Sequence, residues 1–414
     1  MRTCRSVKIG SDCGGGIGYN IVQLARKEEN HKMNGFTYHN PVKVIFGAGT
    51  LVQAGAEGAK LGRKAFVVSY GDGSVAGTLA RLKELFAAEG VETQEFLEVV
   101  PNPPIEMVAR GVEAAKAFGA DFVVGVGGGS AMDAAKAVAA GVLYTHGDLW
   151  NMVYASHSHV TAQPPEKALP LLLIPTLPAT GSEMNMCSVV SSTERRQKSY
   201  IWADCLFART AILDPELTYT LPPFQTACGA IDAISHVLEI FVNGQPKSDL
   251  LHEFQLGVIR TIVRNLPIVL ENPTDADARA ELMWAATCGL NGWASPGDAW
   301  TPMHQVGHVL TSRHGINHGS SLAIVMPAWM EYHKKIKPAP YERFEREIMP
   351  ITEFKAFIKK CGVPVTLGEK GVGEDDIPGI VEGVKTVSFN ADGVLASNPP
   401  VTAEALAEIL KLAL

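Results

Sequence analysis

Between His304 and His318 the sequence reads H-Q-V-G-H-V-L-T-S-R-H-G-I-N-H, which places four of the chain's twelve histidines in one short stretch. Imidazole is the commonest protein ligand for transition metals. A helix brings residues i and i+4 onto one face, so spacing alone can pair His304 with His308, or His314 with His318. Upstream, A-I-D-A-I-S-H sets Asp232 and His236 one helical turn apart in the same way. A carboxylate oxygen with imidazole nitrogens and no thiolate suits a borderline divalent ion such as Fe(II) or Zn(II). The H-Q-V-G-H run differs from the H-E-x-x-H of zinc hydrolases at the position that matters. Gln305 stands where the general base would be, and an amide cannot take a proton.

A second kind of site is suggested by glycine. Gly71-Asp72-Gly73-Ser74-Val75-Ala76 fits the G-x-G-x-x-A form of the dinucleotide fingerprint and follows a β-branched run. Gly127-Gly128-Gly129-Ser130 follows D-F-V-V-G-V and precedes an Ala-rich helical stretch. There the missing side chains let phosphate approach backbone N–H groups at the positive end of a helix. Either loop alone could be a tight turn. Two of them, joined by T-L-P-A-T-G-S-E on the same sheet edge, point to a nucleotide site. The glycines at 14, 15, 16 and 18 follow no strand and are set aside.

The elements that must carry these residues fall into two textures. Strands are expected at 42–46, 65–70, 93–97, 121–126, 169–175 and 211–214, alternating with helical periodicity at 75–86, 105–118 and behind Ser130. That alternation predicts a parallel sheet covered by helices on both faces. From Phe224 onward the pattern is helical throughout. The expectation is an α/β, Rossmann-like domain over 33–217 and an all-helical metal-binding domain over 218–414, with the boundary near 214–223. Residues 1–32 read as an atypical extension: basic at the start, without the apolar core of a secretory signal, and with no expected part in the site.

Composition narrows the partners. The chain has 414 residues, 36 basic and 43 acidic side chains and a net charge of −7. It offers no electrostatic footprint for nucleic acid or an anionic membrane. No apolar run approaches the roughly 18 residues that span a bilayer. Seven scattered cysteines without a C-x-x-C pair suit reduced thiols and a cytoplasmic protein acting on a small molecule.

Taken together, G-G-G-S-A-M-D-A-A-K, P-T-L-P-A-T-G-S-E, D-A-I-S-H and H-x-x-x-H followed by H-G resemble the iron-containing (group III) alcohol dehydrogenases, in their butanol dehydrogenase and aldehyde reductase branch. The likeness spans roughly residues 34–414. It implies hydride transfer between a primary alcohol or its aldehyde and NAD(P)(H), with one divalent metal, in a homodimer or higher even oligomer. By the same resemblance Asp232, His236, His304 and His318 hold the metal, while His308 stands near the nicotinamide as the catalytic imidazole. Gly128, Gly129 and Ser130 match the pyrophosphate loop, with Asp133 and Lys136 on the helix behind it; Asn102, Thr176, Thr180 and Lys198 also match cofactor positions. The family meets the adenosine ribose at 71–74, where the fingerprint alone would put pyrophosphate. Asp72 in that turn can bond ribose hydroxyls but repels a 2′-phosphate, so NAD(H) is expected to be favoured. Two rivals remain: a metal-dependent hydrolase or lyase that activates water at the same Asp/His cluster, which leaves the glycine loops idle, and a non-catalytic nucleotide module, which leaves the cluster unexplained.

Overall fold

The computed structural model describes residues 35–154, 162–243, 248–296 and 300–414. The expected extension, 1–32, with its glycine cluster, lies outside them. The chain opens on strand β1 (Lys43–Phe46) and helix α1 (Ala54–Ala59), then alternates through β2 (Lys64–Tyr70), α2 (Ala76–Ala88), β3 (Glu92–Val99), α3 (Ile105–Phe118), β4 (Phe122–Gly127), α4 (Gly129–Leu143) and β5 (Leu171–Pro175). After a hairpin of β6 (Cys187–Ser192) and β7 (Gln197–Trp202), β8 (Thr210–Leu213) completes the sheet. The six sheet strands lie in the order β1-β8-β5-β4-β2-β3, and every pairing is parallel. Parallel strands place all their C-terminal ends, and the loops that follow them, on one edge. Strand β4 is buried at every residue, as a continuous apolar run covered on both faces must be.

From Pro223 on, the described chain is helical. Its elements are α5 (Pro223–Asn243), α6 (Asp249–Glu271), α7 (Ala276–Gly289), α8 (Pro302–His314), α9 (His318–Lys334), α10 (Pro338–Glu347), α11 (Ile351–Lys360), α12 (Ile377–Ser388) and α13 (Ala403–Leu412). Helix α5 is buried from Thr226 to Val242, so its polar residues are enclosed with its apolar ones. The antiparallel hairpin was not foreseen. Its β6 strand alternates in and out with a period of two, and its turn carries Arg196 in the left-handed region.

Candidate active site

Helix α5 supplies Asp232 and His236 on consecutive turns of its buried face, and α8 supplies His304 and His308 in the same manner. His318 is the first residue of α9, a helix capped by the Asn317 side chain, which accepts from the Ser320 N–H. Gly319 explains how α9 comes so near: a methyl group there would collide with the Cys228 carbonyl, one turn before Asp232. The Asp232, His304 and His318 ligand atoms all lie within 4.8 Å of one another. His304 Nε2 stands 3.4 Å and His318 Nε2 3.7 Å from Asp232 Oδ1. His236 lies beside this group with Nδ1 3.9 Å from the same oxygen and its ring stacked on His304, centroids 4.2 Å apart. His308 faces His318 at 5.3 Å between ring centroids. His314, in the last turn of α8, is not part of the group.

These groups are enclosed without being satisfied. Asp232 Oδ1, His236 Nδ1, His304 Nε2 and His318 Nδ1 are buried with no hydrogen-bond partner among the described residues. Orphaned polar atoms inside a protein are costly, and a cation answers an oxygen and several nitrogens at once. The donor set therefore fits a divalent metal. His318, with 23% of its side chain exposed, marks the side open to the cleft.

Sequence analysis overlooked Glu239. Fully buried, it accepts a hydrogen bond from the Met303 N–H at 2.5 Å and pairs with His304 Nδ1, so the other nitrogen of that ring faces Asp232. A carboxylate behind a ligating imidazole fixes its tautomer and orientation. The available signal was position: 232, 236 and 239 follow one another at i, i+4 and i+7 on α5.

Charge sorts the histidines. Burial opposes protonation of His304, but the Glu239 and Asp232 carboxylates outweigh it and hold the imidazole up at about 9. Burial, then Lys198 and the neighbouring imidazoles, push His308 and His318 well below the ordinary histidine range. Both are neutral near pH 7, with a lone pair to offer. Burial likewise opposes ionisation of Asp232, yet His236, His304 and Lys198 keep its carboxyl below the usual value.

On the sheet edge, α4 begins at Gly129; its N-cap, Gly128, brings no side chain to cap it, and the Tyr70 hydroxyl meets the Gly128 and Ala131 N–H groups. A Cβ at Gly129 would come within 2.7 Å of the Thr180 side chain, so Thr180 rests against the start of the helix. The Thr176 N–H donates to the Gly127 carbonyl at 2.9 Å, which seats the 176–180 loop on the glycine turn. Asn102, in the left-handed region, places its N–H 3.3 Å from Ser130 Oγ. Asp72 is exposed at the end of β2 and accepts from the Ser74 N–H at 2.9 Å. Thus the 71–74, 102, 127–130 and 176–180 segments all meet at the C-terminal ends of β2, β3, β4 and β5.

The Lys198 ammonium, on the unforeseen hairpin, has no hydrogen bond or ion pair among the described residues, while the backbone of the residue pairs with Ser191. Burial lowers its ammonium to about 8, opposed by Asp232 and Asp133, so this one cation feels both the metal cluster and the nucleotide helix. Asp133 and Lys136 lie on α4, behind the glycine turn, and both turn to the segment after Thr180. Asp133 accepts from Ser182 Oγ at 2.6 Å and the Val189 N–H at 3.1 Å, while Lys136 Nζ donates only to the 182–187 segment.

Comparison with known proteins gives the family. Residues 41–215 match the family described as iron-containing alcohol dehydrogenase, and residues 226–414 match the C-terminal part of the Fe-containing alcohol dehydrogenase family. NADH-dependent butanol dehydrogenase A of Clostridium acetobutylicum is 34% identical, over 92% of this chain and 99% of its own length. NADPH-dependent aldehyde reductase YqhD of Escherichia coli is 32% identical, over 84% and 92%. Among solved structures, NADH-dependent butanol dehydrogenase A from Thermotoga maritima superposes with a TM-score of 0.85 at 37% identity, covering 92% of this chain and 99% of that one.

Proposed function

The chain belongs to the iron-containing alcohol dehydrogenases, and from that premise we propose which of its residues carry the reaction. It is an oxidoreductase that transfers hydride between an alcohol or aldehyde and NAD(P)(H). Asp232, His236, His304 and His318 are the proposed ligands of one Fe(II) or Zn(II) ion. The observation that carries this is the convergence of the Asp232, His304 and His318 ligand atoms from α5, α8 and α9, with Asp232 Oδ1 and His304 Nε2 buried and unpartnered. When bound, the ion polarises the substrate oxygen and the nicotinamide supplies or accepts hydride.

The chain's own groups do the rest. Glu239 holds His304 in register, and the α4 N-terminus offers N–H groups to the pyrophosphate. Ser130, Asn102, Thr176 and Thr180 border that loop. Lys198 supplies an unengaged positive charge between the two binding regions. His308, kept neutral by burial and by Lys198, can take a proton from an alcohol at Nδ1 or Nε2 and pass it to water. Sequence limits of 33–217 for the nucleotide part and 218–414 for the metal part accord with this division of labour.

Cofactor choice is assigned to Asp72. Its exposed carboxylate is kept ionised by the Ser74 hydrogen bonds, which favours ribose hydroxyls over a 2′-phosphate and hence NAD(H). The protein is proposed to be a homodimer or higher even oligomer. Supporting this, β1 is an edge strand whose exposed Phe46 packs on Trp284, which packs in turn on Trp293, with Tyr38 over Gly292. Among the described residues no helix is long and apolar enough to cross a membrane and five cysteines are free, which accords with a cytoplasmic location. The test is oxidation of NADH or NADPH by a panel of simple aldehydes with protein purified anaerobically and analysed for metal. Turnover with NADH ahead of NADPH is expected; hydrolysis of an ester or amide without nicotinamide turnover would refute the assignment.

A further inference from the structure

Lys136 has no exposed surface, and its ammonium is ringed by four oxygens: Ser182 Oγ at 2.9 Å, the Asn185 carbonyl at 2.8 Å, Asn185 Oδ1 at 3.1 Å and the Cys187 carbonyl at 2.7 Å. An ammonium has three N–H donors, so none is left for a ligand. The segment it grips leads directly to the nucleotide edge. Asn185 Nδ2 donates to the Gly181 carbonyl at 2.9 Å and the Thr180 carbonyl at 3.2 Å, and the Ser182 N–H donates to Thr180 Oγ1 at 3.2 Å. Thr180 then lies against Gly129, the first residue of α4. Asp133, one turn before Lys136, fastens the same segment through Ser182 and Val189.

We propose that Lys136 is a positioning residue for the dinucleotide: its ammonium acts as a resident cation that draws the 180–187 segment onto α4 and so sets Thr180 over the helix N-terminus, without touching the cofactor. The inference rests on the dinucleotide assignment of that edge. Removing the side chain takes that donor from the Ser182 hydroxyl and the Asn185 and Cys187 carbonyls inside the protein, Asn185 Oδ1 alone keeping the Cys187 N–H at 3.0 Å, and the segment must move to find water.

The experiment measures NADH binding by fluorescence in the metal-loaded wild type, Lys136→Ala and Asn185→Ala, with metal content determined in parallel. Lys136→Ala is expected to bind NADH about tenfold more weakly while retaining its metal, as befits loss of a buried hydrogen-bonded group. Added n-propylammonium, which has the three carbons and the ammonium that the substitution removes and brings three N–H donors, is expected to restore much of that affinity. Asn185→Ala, which keeps the Lys136 ammonium and three of its four oxygens but cuts the two bonds to Thr180 and Gly181, is expected to weaken NADH in the same direction. Wild-type affinity in Lys136→Ala would overturn the proposal. So would weak binding that n-propylammonium does not restore while Asn185→Ala binds normally, since Lys136 would then be a direct contact. If Lys136→Ala fails to fold, Asn185→Ala decides, normal affinity counting against. A wild type that binds neither NADH nor NADPH would fail at the earlier step, the functional assignment itself.

Discussion

The two sides of the cleft are built by opposite means. On the sheet side the binding groups are backbone, and what matters is absence: Gly129 leaves room for Thr180, and Gly128 brings no side chain to cap α4. On the helical side the binding groups are side chains, and what matters is convergence of Asp232, His304 and His318 from three helices. As proposed, the sheet side reads a phosphate by shape and partial charge, so a substitution there is expected to shift affinity. The helical side answers a full charge with few donors, so losing one donor is close to losing the site.

That contrast sets the order of the tests. The largest effect is expected from His304→Ala or His318→Ala. Either should purify with little metal and without turnover, because outer-shell losses alone cost metal affinity about 10- to 100-fold and a ligand is worth more; elemental analysis decides. His308→Ala, one turn from His304 on the same helix, should keep its metal and turn over roughly 10²- to 10⁴-fold more slowly. If His308→Ala loses metal while His318→Ala keeps it, the two residues have exchanged roles.

Two glycine substitutions then compare the sides directly. Gly319→Ala should force α9 away from α5 and weaken metal binding by about tenfold with NADH affinity preserved, overpacking typically costing on the order of 1–3 kcal/mol. Gly129→Ala should do the reverse, weakening NADH about tenfold and leaving metal content alone. Calorimetric titration of both ligands against both variants would expose any crossover. Asp72→Gly is the mildest: the NADPH-to-NADH ratio of kcat/KM should rise by only a few-fold, because an exposed carboxylate interacts through screened water.

Much of the site was legible in the sequence because its chemistry is dense and periodic. Asp232 and His236, or His304 and His308, announce themselves by one-turn spacing, and the glycine turns follow recognisable strands. Choosing His318 over His308 as ligand needed the resemblance, since both spacings are equally helical; the structure shows why Gly319 admits the former to Asp232. Glu239 was hidden because a lone acid in V-L-E-I-F looks like a surface break, and only burial of the whole helix gives it a partner. Lys198 was placed by resemblance, but the β6–β7 hairpin that carries it was missed because short Ser/Val alternation competes with the loop signals around it. For Lys136 the sequence places the residue on the helix behind the glycine loop but is silent on where its long side chain ends.

The unpartnered donors of the helical side also bear on how the protein survives heat. An ion that binds only the folded arrangement stabilises it by RT ln(1 + [L]/Kd), about 4 kcal/mol at a thousandfold excess over Kd. Stripped of that ion, α5, α8 and α9 keep a buried carboxylate and several imidazoles that repel or go unmet, while the sheet loses nothing. Denaturation of the chelated protein is therefore expected to split into an early helical transition and a later one for the sheet, merging into a single transition when metal is restored. Scanning calorimetry with and without chelator would show it, and inactivation on storage would follow free metal concentration more closely than temperature.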